Sequence, residues 1–308
     1  MNVCRCLFAT LLFVFPVLGG YAQIPPPDTS RVLEMAPVVV TATRSEQALA
    51  DVAVPMTVVS AEAMQREGAV RLVDVLSTIP GLGLFDNHGT GLQMQGFAPD
   101  YTLILLNGEP VIGRTAGTLD LNRLTIKGID RIEIVRGPMS SLYGSEALAG
   151  VVNLISAPPT EGVSGNIGVR YGTFSTSDLS GQLSAGNERV GVRLLVNRYA
   201  SAGYDLTPTT VGPTAPSFSD WTTDFRGSIA LSERVQFRLG VRATLEDQQS
   251  DFAQWDGRSQ TRYKEKGSRV DWSIHPEAEF RLLPRLRLTA TLYGARYQTQ
   301  TRHRRQSD

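Results

Sequence analysis

From Val235 to Glu246 the chain alternates strictly: Val235, Phe237, Leu239, Val241, Ala243 and Leu245 are interleaved with Gln236, Arg238, Gly240, Arg242, Thr244 and Glu246. Successive side chains of a strand point to opposite faces, so this period of two excludes a helix and predicts a strand with one apolar and one polar face. The pattern recurs. Ile167, Val169 and Tyr171 oppose Asn166, Gly168 and Arg170. Val270, Trp272, Ile274, Ala278 and Phe280 oppose Arg269, Asp271, Ser273, Glu277 and Arg281, and Leu286, Leu288, Ala290 and Leu292 oppose Arg285, Arg287, Thr289 and Thr291.

The segments have roughly the length that a tilted membrane-crossing strand needs. Their connections differ in length. Residues 186–189, 232–234 and 283–284 are short turns, whereas 201–220 and 247–267 are long and polar; the hairpin at 172–176 is a short exception. Short turns on one side and long loops on the other are expected of an outer-membrane β-barrel. A soluble β-sandwich also alternates, but nothing makes its loops alternate in length. Seven strands are expected: 165–171, 177–185, 190–200, 221–231, 235–246, 268–282 and 285–298. Bacterial barrels use even numbers, and a plugged transporter has about 22. Seven would leave two open edges in lipid, where unpaired backbone is costly. The expectation is therefore the truncated N-terminal part of a longer protein, with TRHRRQSD, polar and basic, carrying no final strand.

The chain opens with Arg5 and an apolar run over 7–18, the length of a signal-peptide core, followed by the small residues Gly20 and Ala22. Residues 1–22 read as a signal peptide. Both cysteines, Cys4 and Cys6, lie inside it, so the exported chain would have no disulfide or thiolate metal site. Lys plus Arg and Asp plus Glu are 30 each, which gives no reason to expect a nucleic-acid partner. Residues 23–50 read as a flexible tether, proline-rich at 24–28. Within it Val38, Val39, Val40, Thr41 and Ala42 form a β-prone segment, either a template for strand addition by a partner or an ordinary edge strand of the next domain.

Residues 51–157 read as an α+β domain. A strand over 53–59 runs to Ser60, an N-cap for a helix that Gly68 stops; a second helix, with Leu72, Val73, Val75 and Leu76 on its apolar side, ends at Ile79-Pro80-Gly81. Tyr101 to Leu106 is apolar nearly throughout, the mark of a strand buried on both faces, and Asn107-Gly108 turns it. Arg131, Glu133 and Arg136 mark a charged side of the strand after Ile129, either solvated or facing a barrel lumen. No phosphate loop, His/Cys metal cluster or nucleophile with its base is present in the sequence, so no catalytic site and no cofactor are expected.

Three stretches carry a resemblance: IDRIEIVRGPMSSLYGSEALAGVVNLIS at 129–156, QMQGFAPDYTLILLNGEPV at 93–111, and the helix-ending IPGL at 79–82. They resemble the plug domain of TonB-dependent outer-membrane receptors, in a sequence where Gln95-Gly96 replaces the family's common Arg-Gly. The resemblance implies an α+β plug over 51–157, then antiparallel transmembrane β-barrel strands over 162–308. It implies a receptor, not an enzyme, in the outer membrane of a Gram-negative bacterium. Residues 38–42 would be the TonB box, pairing with a TonB-type periplasmic energising protein. The cargo would be a scarce, bulky nutrient, foremost a ferric siderophore, with cobalamin or haem as alternatives. A ligand-binding outer-membrane protein without transport is the rival class. Ligand contacts are expected from apical loops at Asp86, Asn87, His88 and Thr90 and at Arg114 and Thr115, and plug-to-barrel contacts from Arg131, Glu133 and Arg136. SAGYDL at 201–206 resembles cobalamin-type receptors, where Asp205, Asp220 and Asp224 would be calcium ligands.

Overall fold

The structure is a computed structural model that describes residues 39–40, 47–48, 54–86, 89–207, 209, 212–255, 260–283 and 286–305. Val38–Asp308 forms one compact unit. The expected signal peptide lies outside the described residues, and so does most of the tether. Strand β1 (Val39–Val40) pairs antiparallel with β2 (Gln47–Ala48).

The first half is an α+β domain. β3 (Met56–Ser60) leads into α1 (Ala61–Arg66), which Ser60 caps by accepting from the Ala63 N–H at 3.3 Å. α2 (Leu72–Ser77) starts where the Asp74 carboxylate accepts from the N–H groups of Val70 and Arg71, at 2.8 and 2.9 Å. A hairpin of β4 (Leu82–Asp86) and β5 (Thr90–Met94) follows. Then come β6 (Thr102–Leu106), β7 (Glu109–Pro110), β8 (Ile129–Arg136), α3 (Ser140–Tyr143) and β9 (Gly150–Ser156). Five strands make one sheet in the order β3-β8-β9-β6-β7, with β6 and β9 parallel. The apolar run in β6 is buried on both faces, as expected. Ile104 joins Leu72, Leu76, Ile132, Ile134 and Leu154 on one side, while Leu103 and Leu105 join Val135, Val151 and Met139 on the other.

The second half is a curved antiparallel sheet in chain order: β10 (Gly162–Tyr171), β11 (Ser177–Gly186), β12 (Val190–Ser201), β13 (Ser217–Ser232), β14 (Val235–Trp255) and β15 (Gln260–Leu283). β16 (Leu286–Thr291) and β17 (Gly294–Arg305) both pair with β15 in the same register, Glu277 with Thr291 and Ile274 with Gly294. They continue one another across an interruption at Pro276. Leu292 donates its N–H to the Pro276 carbonyl at 3.0 Å, but proline has no N–H to return.

The seven expected strands are present, with the last one interrupted. Two boundaries need correction. Residues 247–267 are not a long loop: β14 and β15 stay paired from Asp247 and Ser268 out to Trp255 and Gln260. Thr301 to Arg305, expected to lie outside any strand, pairs with Gly267 to Tyr263. Hydrophobic alternation marks a strand only where one face is dry, and beyond the apolar belt the backbone ladder persists without it.

The two faces differ as the alternation requires. Val163, Ile167, Val169, Leu183, Trp221, Leu231, Leu245, Trp272, Ile274 and Leu288 are exposed on the outer face. Asp178, Ser180, Asn197, Asp220, Thr222, Asp224, Arg242, Thr244 and Glu246 are buried on the inner one, against the first domain. A sheet with this polarity suits lipid outside and protein inside. Ile274→Arg, near mid-height of the apolar face, is expected to cost about 2–4 kcal/mol of folding stability in lipid vesicles and Leu282→Arg, at the rim, about 0–1 kcal/mol, read from urea titrations.

Candidate functional site: the ion-paired interface of domain and wall

Two short segments of the first domain are stitched together, with Leu72 N–H on the Leu124 carbonyl at 2.9 Å and Ile126 N–H on the Val70 carbonyl at 3.3 Å. This brings Arg71 and Arg123 side by side against the wall. Arg123 closes a single turn that Asp120 caps by accepting from the Asn122 N–H at 3.1 Å.

Opposite them the strand register sets a row of inward-facing residues: Asp178, Tyr199, Asp220, Glu246 and Arg269 lie directly across from one another. Arg123 Nε donates to Glu246 at 2.5 Å, and its Nη2 donates to Asp271, in the next row, at 2.9 Å. Glu246 also pairs with Arg269 of the wall. The Arg71 guanidinium lies 4.0 Å over the Tyr199 ring and 3.8 Å from Asp220. Lys127 reaches Asp178 at 3.7 Å.

Nearer the short turns the polarity reverses, and the wall supplies the cations. Arg193 donates to the carbonyls of Ala157 and Gly128, at 2.5 and 2.8 Å, and Arg226 donates to Ser156 Oγ at 3.0 Å. Gly128 has φ +72°, and any side chain there would collide with the Arg193 guanidinium. Tyr293 adds a hydrogen bond to the Pro110 carbonyl at 2.7 Å.

Burial works against each charge. It pulls the Arg71 guanidinium below its ordinary value, opposed by Asp220, Tyr199 and Asp178. Burial would lower Arg123 too, but Glu246 and Asp271 together outweigh it and hold Arg123 above its ordinary value. Arg123 is thus a fixed cation between two acids in a nearly dry seam.

The apical loops converge at the end of the domain that adjoins Arg123. Gly91 packs so closely on Pro99 and Thr118 that a Cβ would stand 2.7 Å from Pro99. Thr90 Oγ1 donates to Asp86 at 2.7 Å and accepts from Asn122 at 2.9 Å, while the Thr90 N–H donates to Asp120. Asp86 and Thr90 are therefore joined in one network, whereas Asn87 and His88 lie outside the described residues. Thr115 is exposed in a tight turn with Thr118. Arg114 is turned inward: it donates to the carbonyls of Pro99, Gly117 and Thr102, at 3.0, 3.0 and 2.7 Å, and lies 3.7 Å from Glu146. Burial lowers its guanidinium, with Glu146 and Asp100 opposing. It staples these loops together.

Residues 48–151 match the family described as TonB-dependent Receptor Plug Domain. They are a TonB-dependent receptor plug. With the strands that follow, the chain has the fold of these receptors. It is similar to the siderophore receptor PirA from Acinetobacter baumannii, at 16% identity and a TM-score of 0.56, over 79% of this chain and 44% of that one. It is similar to the ferripyoverdine receptor of the outer membrane of Pseudomonas aeruginosa, solved bound to ferripyoverdine, at 14% and 0.58, over 86% and 45%. The copper transporter OprC gives 17% and 0.54, over 80% and 46%. At these identities the likeness is one of fold, and the chain spans under half the length of each.

Plug and wall meet elsewhere than the charged strand suggested. Arg131 bonds Glu133 and Asp130, at 2.9 and 3.0 Å, and Arg136 donates to Thr57 Oγ1 and the Pro80 carbonyl, at 3.1 and 3.2 Å. β8 lies between β3 and β9, so these groups find partners within the plug. The aspartate trio is corrected as well. Asp220 faces Arg71, Asp224 pairs with Arg226 at 3.1 Å, and Asp205 is exposed in the loop above, where it accepts from the Thr207 N–H. Asp224 is paired with an arginine, Asp220 lies 3.8 Å from one without a hydrogen bond to it, and no metal-ligating cluster occurs among the described residues.

Sequence reasoning missed Arg71, Lys127, Arg123 and the acids Asp178, Glu246 and Asp271, and singled out Asp220 for a different role. The inward parity of Asp178, Asp220, Glu246 and Asp271 was the available signal. Arg123→Ala would leave Glu246 and Asp271 without their plug cation at a cost of about 3–5 kcal/mol. The expected readout is faster hydrogen exchange of plug amides in the intact protein, partly restored by Arg123→Lys; unchanged exchange would show that the acids are neutralised by other groups.

Proposed function

We propose that this chain is the plug and first barrel strands of an outer-membrane receptor that imports a bulky, scarce nutrient, a ferric siderophore in the first instance. Energy would come from a TonB-type periplasmic partner. On this reading residues 1–22 direct export, 23–50 are the tether, and the polypeptide lies in the outer membrane of a Gram-negative bacterium.

The observation that carries the reading is the plug itself, held against the inner face of the wall by buried ion pairs that include Arg123 with Glu246 and Asp271. A channel closed in this way is not a passive pore: passage requires work to disturb desolvated charges. A handle for that work is available in β1, where Val39 and Val40 already take strand conformation. Val38, Thr41 and Ala42 lie outside the described residues. Strand addition at this segment transmits tension through backbone hydrogen bonds. On the plug, Asp86, Thr90 and Thr115 lie on the converged loops, and Phe85 next to them is exposed, a surface with both hydrogen-bonding and apolar character.

The siderophore class rests on this surface and on the named ligands of PirA and the ferripyoverdine receptor; the copper transporter shares the same fold. Deleting 38–42 in the full-length receptor separates transport from binding. Ferric siderophore uptake should stop while binding to intact cells is retained. Uptake at the undeleted rate would sink energy coupling through this segment, and binding without uptake in the undeleted protein would favour a non-transporting receptor.

A further inference from the structure

Above the apolar belt the wall sorts its charges by face. Inward, Glu265 pairs with His303 at 3.6 Å and Phe252 stacks on Tyr263 at 5.3 Å. Outward, the register places Lys266 directly opposite Arg302 and Lys264 directly opposite Arg304. Arg262 continues the same face, and all five cations are exposed.

Like charges directly opposite one another destabilise an antiparallel pair. Here two such pairs are adjacent. Across β14, Lys266 faces Gln249 and Lys264 faces Asp251, so a single acid stands in these rows among the described residues. None of Lys264, Lys266, Arg302 and Arg304 forms an ion pair with a carboxylate among the described residues. At the other rim two of the three turns carry Glu188 beside Arg189 and Glu233 beside Arg234, and Arg281 and Arg287 beside the third share Glu279.

Height selects the anion. On β14 and β15 the outward apolar residues end at Leu245 and Val270, which lie opposite one another, and Lys266 lies four residues beyond Val270. At strand rise and barrel tilt that is about 10 Å above the belt's last apolar row. The headgroup layer is about 5–8 Å deep on each side of a bilayer, within reach of a lysine or arginine side chain. Resting on the membrane placement proposed above, we propose that Lys264, Lys266, Arg302 and Arg304 form a site for phosphorylated lipid headgroups of the outer leaflet. The phosphates would stand between the like-charged pairs and fix the barrel's vertical position and its azimuth relative to its lipid neighbours.

The test uses the full-length receptor purified in detergent, with lipid A carrying two phosphates as probe. The quadruple variant K264Q/K266Q/R302Q/R304Q is expected to lose about tenfold or more in affinity, and wild-type binding should weaken with added salt. Lys266→Glu alone should weaken binding more than Lys266→Gln. The same glycolipid stripped of phosphate should bind wild type no better than the variant, and inorganic phosphate should not displace the lipid. Undiminished binding by the quadruple variant, equal binding of the stripped lipid, or displacement by inorganic phosphate would each overturn the proposal. Membrane fractionation separates this from the underlying reading. Wild-type protein absent from outer membranes would overturn both, whereas an embedded variant that still binds lipid A at wild-type affinity overturns the headgroup site alone.

Discussion

A wall that is apolar outside and charged inside depends on whatever neutralises its inner face. Here the plug does so together with the wall's own Arg226 and Arg269. Asp178, Asp220, Glu246 and Asp271 project inward from four strands, and Lys127, Arg71 and Arg123 come to meet them. Each domain carries charge that would be costly to bury alone. The seam is therefore mutual: the wall gives the plug its counter-ions, and the plug gives the wall an interior.

The polarity reversal along the seam fixes orientation. Near the outer end, plug cations meet wall acids. Nearer the short turns, Arg193 and Arg226 of the wall meet plug carbonyls and a hydroxyl. Turning or sliding the plug would set Arg71 and Arg123 toward Arg193 and Arg226 and take from Asp178, Asp220, Glu246 and Asp271 the cations that the plug supplies. Buried pairs of this kind add little net stability but penalise every other arrangement. The hydrogen-bond network joining Asp86, Thr90, Asp120 and Asn122 ends one residue from Arg123, so the apical loops and the seam share a rigid connection.

Local rules carried the sequence reading far in some segments and failed in others for a common reason. In β14, alternation alone assigned Phe237 and Leu245 outward and Thr244 and Glu246 inward, because side-chain direction in a strand is a property of adjacent residues. Beyond Asp247 the same strand was invisible, since both faces are wet there and the ladder needs no pattern. In β8 the alternation of Arg131 and Glu133 was real, but the two pair with each other within the plug. Arg71 and Arg123 stand in irregular segments without any period, and only a stitch between distant residues places them at the wall.

By itself the sequence determined the two-part architecture, the α+β domain with its doubly buried β6, the number of alternating strands, and which of their side chains form the exposed apolar face. Those follow from periodicity and turn chemistry, which act over a few residues. Only the tertiary structure decided which cation meets which acid, that Arg114 staples loops instead of facing outward, and that Asp220 and Asp224 answer arginines. Charge pairing acts through space between groups far apart in sequence, and no local pattern records where the chain will bring them together.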